Sequence, residues 1–249
     1  MNIKSETKVW IASAVVFALS CSLCCWTFSG VNVWKVMAGI TVDDKVGSVK
    51  EPELPSIVID AGHGGEDGGT QSADGVLEKD INLQISLKLN SLLKVMGYNT
   101  VMTRQQDKLI YDESCTKMRQ KKVSDINNRL EIAKSYPDSL FISIHQNYFT
   151  ESKYSGAQVF YSPNNEESAV LAQSIQQNVC SLLQKENSRK IKKSGSEIFL
   201  LDNIKSPAVM VECGFMSNAD EALKLTDEEY QKKMALAIAS GINNYLSKS

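Results

Sequence analysis

Short apolar runs alternate with longer amphipathic stretches from Ser56 to the C-terminus. Ser56-Ile57-Val58-Ile59-Asp60 is β-branched and ends in glycines, which predicts a buried strand. Ile81, Ile85, Leu89, Leu92 and Met96 recur at helical spacing, and Gly97 stands where a helix C-terminus favours glycine. Further strands are predicted over 98–103, 140–144, 156–161 and 207–212. Helices are predicted over about 125–135, stopped near Pro137, and over 166–183. Asn218 with Glu221 three residues on has the form of a capping box before the last helices, which reach Tyr245. Strands interleaved with helices of this length predict an α/β fold, a single domain with a mainly parallel twisted sheet and helices on both faces.

The N-terminal pattern is different. No charged residue occurs from Val9 to Trp34, a run of 26 positions. As a helix rising ~1.5 Å per residue, that run covers a hydrocarbon core of roughly 30 Å. Lys4 and Lys8 precede it, so the cation bias keeps the N-terminus cytoplasmic and sends the remainder outward. Residues 1–34 therefore read as a signal peptide or a membrane anchor. The anchor is favoured, because the run exceeds the ~7–15 residues of a signal core. Residues 35–55 mix Lys, Asp, Gly, Ser and Pro without periodicity and read as a linker, leaving 56–249 as the working domain.

Composition removes several classes of function. The 249 residues carry 27 Lys plus Arg against 29 Asp plus Glu, a formal net charge of −2, and lack the cationic excess of a nucleic-acid binder. Of the cysteines, only Cys115, Cys180 and Cys213 fall in the domain, an odd number that predicts no disulfide scaffold.

The chemistry gathers at strand ends. The chain has 2 histidines, His63 and His145, and each follows a predicted buried strand; a third strand runs directly into Glu212. Ionisable groups at the carboxyl ends of three strands converge on one edge, where open α/β sheets keep their ligand sites. Two imidazoles and a carboxylate suit zinc, and Glu78, at the opening of a helix, is the best third ligand. No His-Glu-x-x-His occurs, which excludes a thermolysin-like site. Glu212, after Val209-Met210-Val211, is expected to be partly desolvated and raised toward the range useful for proton transfer. The alternative for it is a buried salt bridge to Arg104 or Arg129. Cys213 points to the other face by alternation and reads as a small core residue. The glycine-rich stretch 62–69 lacks a phosphate-loop ending and is better suited to bending around a metal.

Four ordered stretches resemble the motifs of zinc-dependent N-acetylmuramoyl-L-alanine amidases, the amidase-3 family. They are Asp60-Ala61-Gly62-His63-Gly64-Gly65, Glu78-Lys79-Asp80-Ile81-Asn82-Leu83, Ser143-Ile144-His145-Gln146-Asn147, and Val211-Glu212-Cys213-Gly214-Phe215-Met216-Ser217-Asn218. The resemblance, closest to the germination-specific branch of spore-forming bacteria, implies one zinc ion on His63, Glu78 and His145, with Glu212 as catalytic acid and base. It implies cleavage of the bond between muramic acid and L-alanine in peptidoglycan, ahead of muramic-δ-lactam formation with a muramic acid deacetylase. Action would be extracytoplasmic, in the forespore intermembrane space. Asn147, Gln146 and Arg104 are the candidate substrate contacts; Gln146 departs from the small or apolar residue usual in the family. Residues 186–193 form a basic segment read as a solvated loop, with a glycan or partner contact as its alternative. Ligands spread along the chain also suggest an accessory protein that rigidifies the loops and raises metal affinity by linkage. The rival readings are a catalytically idle peptidoglycan-binding module and a zinc peptidase.

Overall fold

The computed structural model describes residues 54–248; the expected membrane segment and nearly all of the linker lie outside the described residues. Along the chain run β1 (Ile57–Ala61), α1 (Glu78–Val95), β2 (Thr100–Met102), α2 (Met118–Lys134), β3 (Leu140–Asn147) and β4 (Gln158–Tyr161). They are followed by α3 (Glu167–Leu182), β5 (Lys192–Lys193), α4 (Phe199–Asn203), β6 (Ala208–Phe215), α5 (Ala219–Thr226) and α6 (Glu228–Leu246). One six-stranded sheet has the order β2-β1-β3-β6-β4-β5. β2, β1, β3 and β6 are mutually parallel, whereas β4 runs antiparallel to β6 and carries β5 parallel to itself.

Strand alternation sorts the sheet into two faces. Ile57, Ile59, Ile142, Ile144, Val209 and Val211 face the larger core, closed by α1, α3 and α6. Val58, Phe141 and Ala208 face a smaller core with α2 and α4. On that second face the alternation also places Asp60, Ser143, His145 and Glu212 toward the strand ends, so polar chemistry replaces the core there.

Helix ends follow local rules. Gly97 takes φ +90, its N–H bonds to Lys94 O at 3.0 Å, and the N–H of Tyr98 reaches Leu93 O at 3.0 Å. That is the paired closure a left-handed glycine allows after a helix. Two elements differ from expectation. α2 starts at Met118, seven residues early, because its first turns are polar, mostly exposed and without an apolar stripe. The basic segment expected as a loop includes β5, a two-residue edge strand of exposed lysines.

Candidate active site

The register of the sheet sets the first spacing. His145 on β3 pairs with Glu212 on β6, and Gln158 on β4 pairs with Glu212 from the other side. Directly opposed residues point to one face, so His145, Glu212 and Gln158 form a row across three strands. His63 lies just past the end of β1, and Glu78 is the first residue of α1. One donor atom from each of His63, Glu78 and His145 lies within 4.8 Å of the other two. His145 Nδ1 is 2.9 Å from Glu78 Oε1, and His63 Nε2 is 3.3 Å from Glu78 Oε2.

Glu78 is buried, and its oxygens also accept hydrogen bonds from the N–H and hydroxyl of Thr70 (2.9 and 3.1 Å), Asn82 Nδ2 (3.2 Å) and the N–H of Gln146 (3.1 Å). Burial opposes its ionisation, but hydrogen bonds with and charges on the two histidines outweigh it and hold the carboxyl well below the usual range. The backbone presses against this donor set. A Cβ on Gly62 would sit 2.1 Å from His145 Nε2, and one on Gly69 only 2.5 Å from Glu78 Oε2. Two imidazoles and an ionised carboxylate converging in a glycine-lined cradle fit a zinc ion.

His63 is the one described non-glycine residue with positive φ, at 60. That left-handed conformation is uncommon without glycine and needs outside support. Asp67 supplies part of it: its Oδ2 lies 2.9 Å from His63 Nδ1, leaving Nε2 for the donor cluster. Burial alone would lower the imidazole's pKa, but the bonds to Asp67 and Glu78 push it up to about 9. Asp67, which orients the His63 ring, is not among the candidates read from the sequence; its i+4 spacing from His63 was the available signal.

A buried ionic network supplies the rest. Arg129 donates to Asp60 Oδ1 (2.6 Å), Asp125 Oδ2 (2.7 Å), Ala61 O (2.7 Å) and His63 O (2.8 Å). Asp60 also accepts from Thr103 Oγ1 (2.8 Å) and Ser143 Oγ (2.7 Å). Burial would raise Asp60, but Arg129, Ser143, His145 and Thr103 together hold it at about 2. Arg104, expected at the substrate, is 2 % exposed and directs its donors to the carbonyls of Ala61, Gly62, Lys79 and Gln106. It clamps the histidine loop onto α1 and has no face turned to a ligand, which corrects its assignment as a substrate contact.

With both arginines committed, Glu212 has no salt bridge among the described residues. The residue is part-buried, yet its Oε2 is shut off from solvent and has no partner. Burial raises its pKa to about 7, with nearby Glu78 adding to the rise and the histidines opposing it. Gln146 is a second correction. It lies in the interior at 3 % exposure, its amide nitrogen 3.1 Å from Asn82 Oδ1, so it supports Glu78 from behind instead of facing substrate. Asn147 is half-buried at the end of β3 and pairs with Phe215. Cys213 is fully buried in the larger core, and burial pushes its thiol well above the ordinary value. Asn218 does cap α5, accepting from Glu221 N at 3.1 Å, but the Glu221 carboxylate does not complete a capping box. It accepts instead from the N–H groups of Gly156 and Phe215, both at 2.8 Å.

A mainly parallel α/β sheet carries two histidines and a carboxylate at its carboxyl edge that could hold a metal ion, beside a second, desolvated carboxylate, the arrangement suited to a hydrolase. The chain belongs to the Amidase_3 family, the N-acetylmuramoyl-L-alanine amidases, whose family model matches residues 57–244. It is 30% identical over 239 residues to the germination-specific N-acetylmuramoyl-L-alanine amidase of Bacillus subtilis, covering 96% of this chain and 95% of that one. Among solved structures, the CwlD amidase of Clostridioides difficile, determined in complex with the GerS lipoprotein, is 42% identical with a TM-score of 0.76. That match covers 79% of this chain and 100% of the other. The amidase AmiC2 of Nostoc punctiforme is 29% identical with a TM-score of 0.66, covering 78% of this chain and 97% of that one.

Proposed function

We propose that residues 56–249 hydrolyse the amide between the lactyl group of N-acetylmuramic acid and L-alanine in peptidoglycan. In this reading His63, Glu78 and His145 hold one zinc ion, and Glu212 carries the proton. The supporting observation is the meeting of three donor atoms within 4.8 Å beside a carboxylate oxygen that has neither solvent nor partner. When bound, zinc supplies Lewis-acid activation of water and of the scissile carbonyl. Glu212, desolvated and titrating near neutrality, takes a proton from the attacking water and delivers it to the leaving nitrogen. Asp67 holds His63 with Nε2 turned inward, and Gln146 and Asn82 hold Glu78. Asn147, at the rim, contacts the substrate.

Metal analysis combined with mass spectrometry of digested peptidoglycan tests the reading. One zinc per chain and new N-terminal alanine on intact stem peptides are expected. Cleavage inside the stem would identify a zinc peptidase, and binding without cleavage an idle module. Glu212→Gln should keep zinc while losing on the order of 10²–10⁴ in turnover; wild-type turnover in that variant would remove Glu212 from the mechanism.

The finer setting rests on the germination-specific relative. The substrate is spore cortex, where stem-peptide removal followed by a muramic acid deacetylase leads to muramic-δ-lactam. The enzyme acts in the forespore intermembrane space, delivered or anchored by residues 1–34. An accessory lipoprotein binds it, by analogy with the complex of the Clostridioides difficile enzyme. Cortex from a deletion strain should lack the lactam, and zinc occupancy should rise with the accessory protein present.

A further inference from the structure

A cavity of about 900 Å³ opens at the carboxyl edge of the sheet, beyond β4 and on the side away from β1. Gly156 and Arg189 line it, and Gln158, two residues past Gly156, is the cross-strand neighbour of Glu212. Arg189 bridges cavity and row. Its Nη2 donates to Gln158 Oε1 at 2.9 Å, and its guanidinium lies over the Phe215 ring, 4.9 Å from the centroid. Arg189 Nε, in contrast, is buried and has no hydrogen-bond partner among the described residues.

Arg189 has no ion pair among the described residues. Glu221 is near enough to feel its charge, yet the oxygens of Glu221 are turned to the N–H groups of Gly156 and Phe215. The fork is thus fixed in place by stacking and one hydrogen bond, and the donor left over within reach of solvent is the terminal Nη1, not the buried Nε. A planar fork with unspent donors beside a cavity matches a carboxylate, which accepts two parallel N–H bonds. Strands lie ~4.8 Å apart, so the guanidinium, at the far end of the Gln158 side chain, stands on the order of 8–10 Å from Glu212. An extended peptide advances ~3.3–3.6 Å per residue, which brings the second residue of the leaving peptide to that point.

We propose that Arg189 binds a free carboxylate on the second residue of the peptide released by the amidase. The assignment rests on the amidase reading above and makes Arg189 a substrate-specificity residue of the same site. The test uses two muramoyl peptides that differ only in a free or an amidated carboxyl on that residue. Wild-type protein should favour the free carboxylate by on the order of tenfold to hundredfold in kcat/KM, chiefly through KM, the size of one charge-assisted contact. Arg189→Gln should bring the carboxylate substrate down to the level of the amide, a loss on the carboxylate substrate at least tenfold larger than any on the amide substrate. Equal losses on both substrates would assign Arg189 a purely structural role, and an unchanged preference would overturn the proposal. If Arg189→Gln does not fold, Arg189→Lys, which keeps the charge and loses the fork, should show a reduced preference, and an undiminished one counts against the fork. Calorimetric binding of the same two ligands separates this from the amidase reading. Preferential binding of the carboxylate without cleavage of either would sink the amidase reading and leave Arg189 standing; equal binding would sink Arg189.

Discussion

Replacing Arg129 by methionine tests whether the buried network holds the histidine loop. The substitution keeps the bulk of the side chain but strips Asp60 of its cation and leaves the carbonyls of Ala61 and His63 without that donor. Removing one partner of a buried ion pair costs about 3–5 kcal/mol, because the other charge stays desolvated. The pH dependence provides a sharper signature. Asp60 titrates at about 2 in the folded protein against an ordinary 3.8. Its stabilisation, about 2 kcal/mol at 1.36 kcal/mol per unit, is therefore full above pH ~4 and lost as pH falls through 2. Without Arg129, burial dominates and the folded pKa rises above 3.8, so the sign reverses and protonation of Asp60 stabilises the variant relative to neutral pH. Urea denaturation from pH 7 to pH 3 should show a gap of about 3–5 kcal/mol between wild type and variant that narrows on acidification. A gap that is constant with pH, or under 1 kcal/mol at pH 7, would refute the reasoning. Asp60→Asn placed on the variant should recover part of the loss.

Other outcomes follow from the same geometry. Asp67→Asn should weaken metal binding on the order of 10–100-fold in equilibrium dialysis while the circular dichroism spectrum is kept, because the carboxylate behind His63 is lost. Gly62→Ala should abolish metal binding, since its Cβ would fall 2.1 Å from His145 Nε2; retained stoichiometric metal would show that the cradle yields. Glu212 must be ionised to accept a proton, and burial lifts it to about 7, so kcat/KM should rise with pH along an acid limb. A cation beside it favours the ionised form, which places that limb at or below pH 7; a limb above 7 would contradict the assignment.

The central strands were legible because a strand buried on both faces is a continuous apolar run, and β1, β3 and β6 are such runs. The convergence of His63, His145 and Glu212 on one edge followed from their position after those strands. α2 was truncated in the reading because a helix whose first turns face solvent carries no apolar period. The five-residue α4 is too short to show one. Gln146 was misplaced although parity contained the answer: on a strand, the neighbour of His145 must face the opposite side. Arg104 and Asp67 were harder. Which carbonyls an arginine meets, and which ring nitrogen an aspartate holds, depend on how the loop folds back through the left-handed His63, and no periodic pattern encodes that.

The pairing of β3 with β6 divides the labour of the centre between two kinds of scaffold. His145 and Glu212 are neighbours by main-chain ladder, the last regular pair before the register shifts at Asn147, so their separation is tied to the sheet itself. His63 arrives on a loop outside the ladder, tied by a few main-chain bonds such as Gly62 N–H to Ile144 O and otherwise by side chains. On the proposed reading, with zinc on the histidines and Glu212 carrying the proton, mild heat or acid should accordingly strip the ion before it disturbs Glu212, leaving a folded protein whose activity returns on adding zinc.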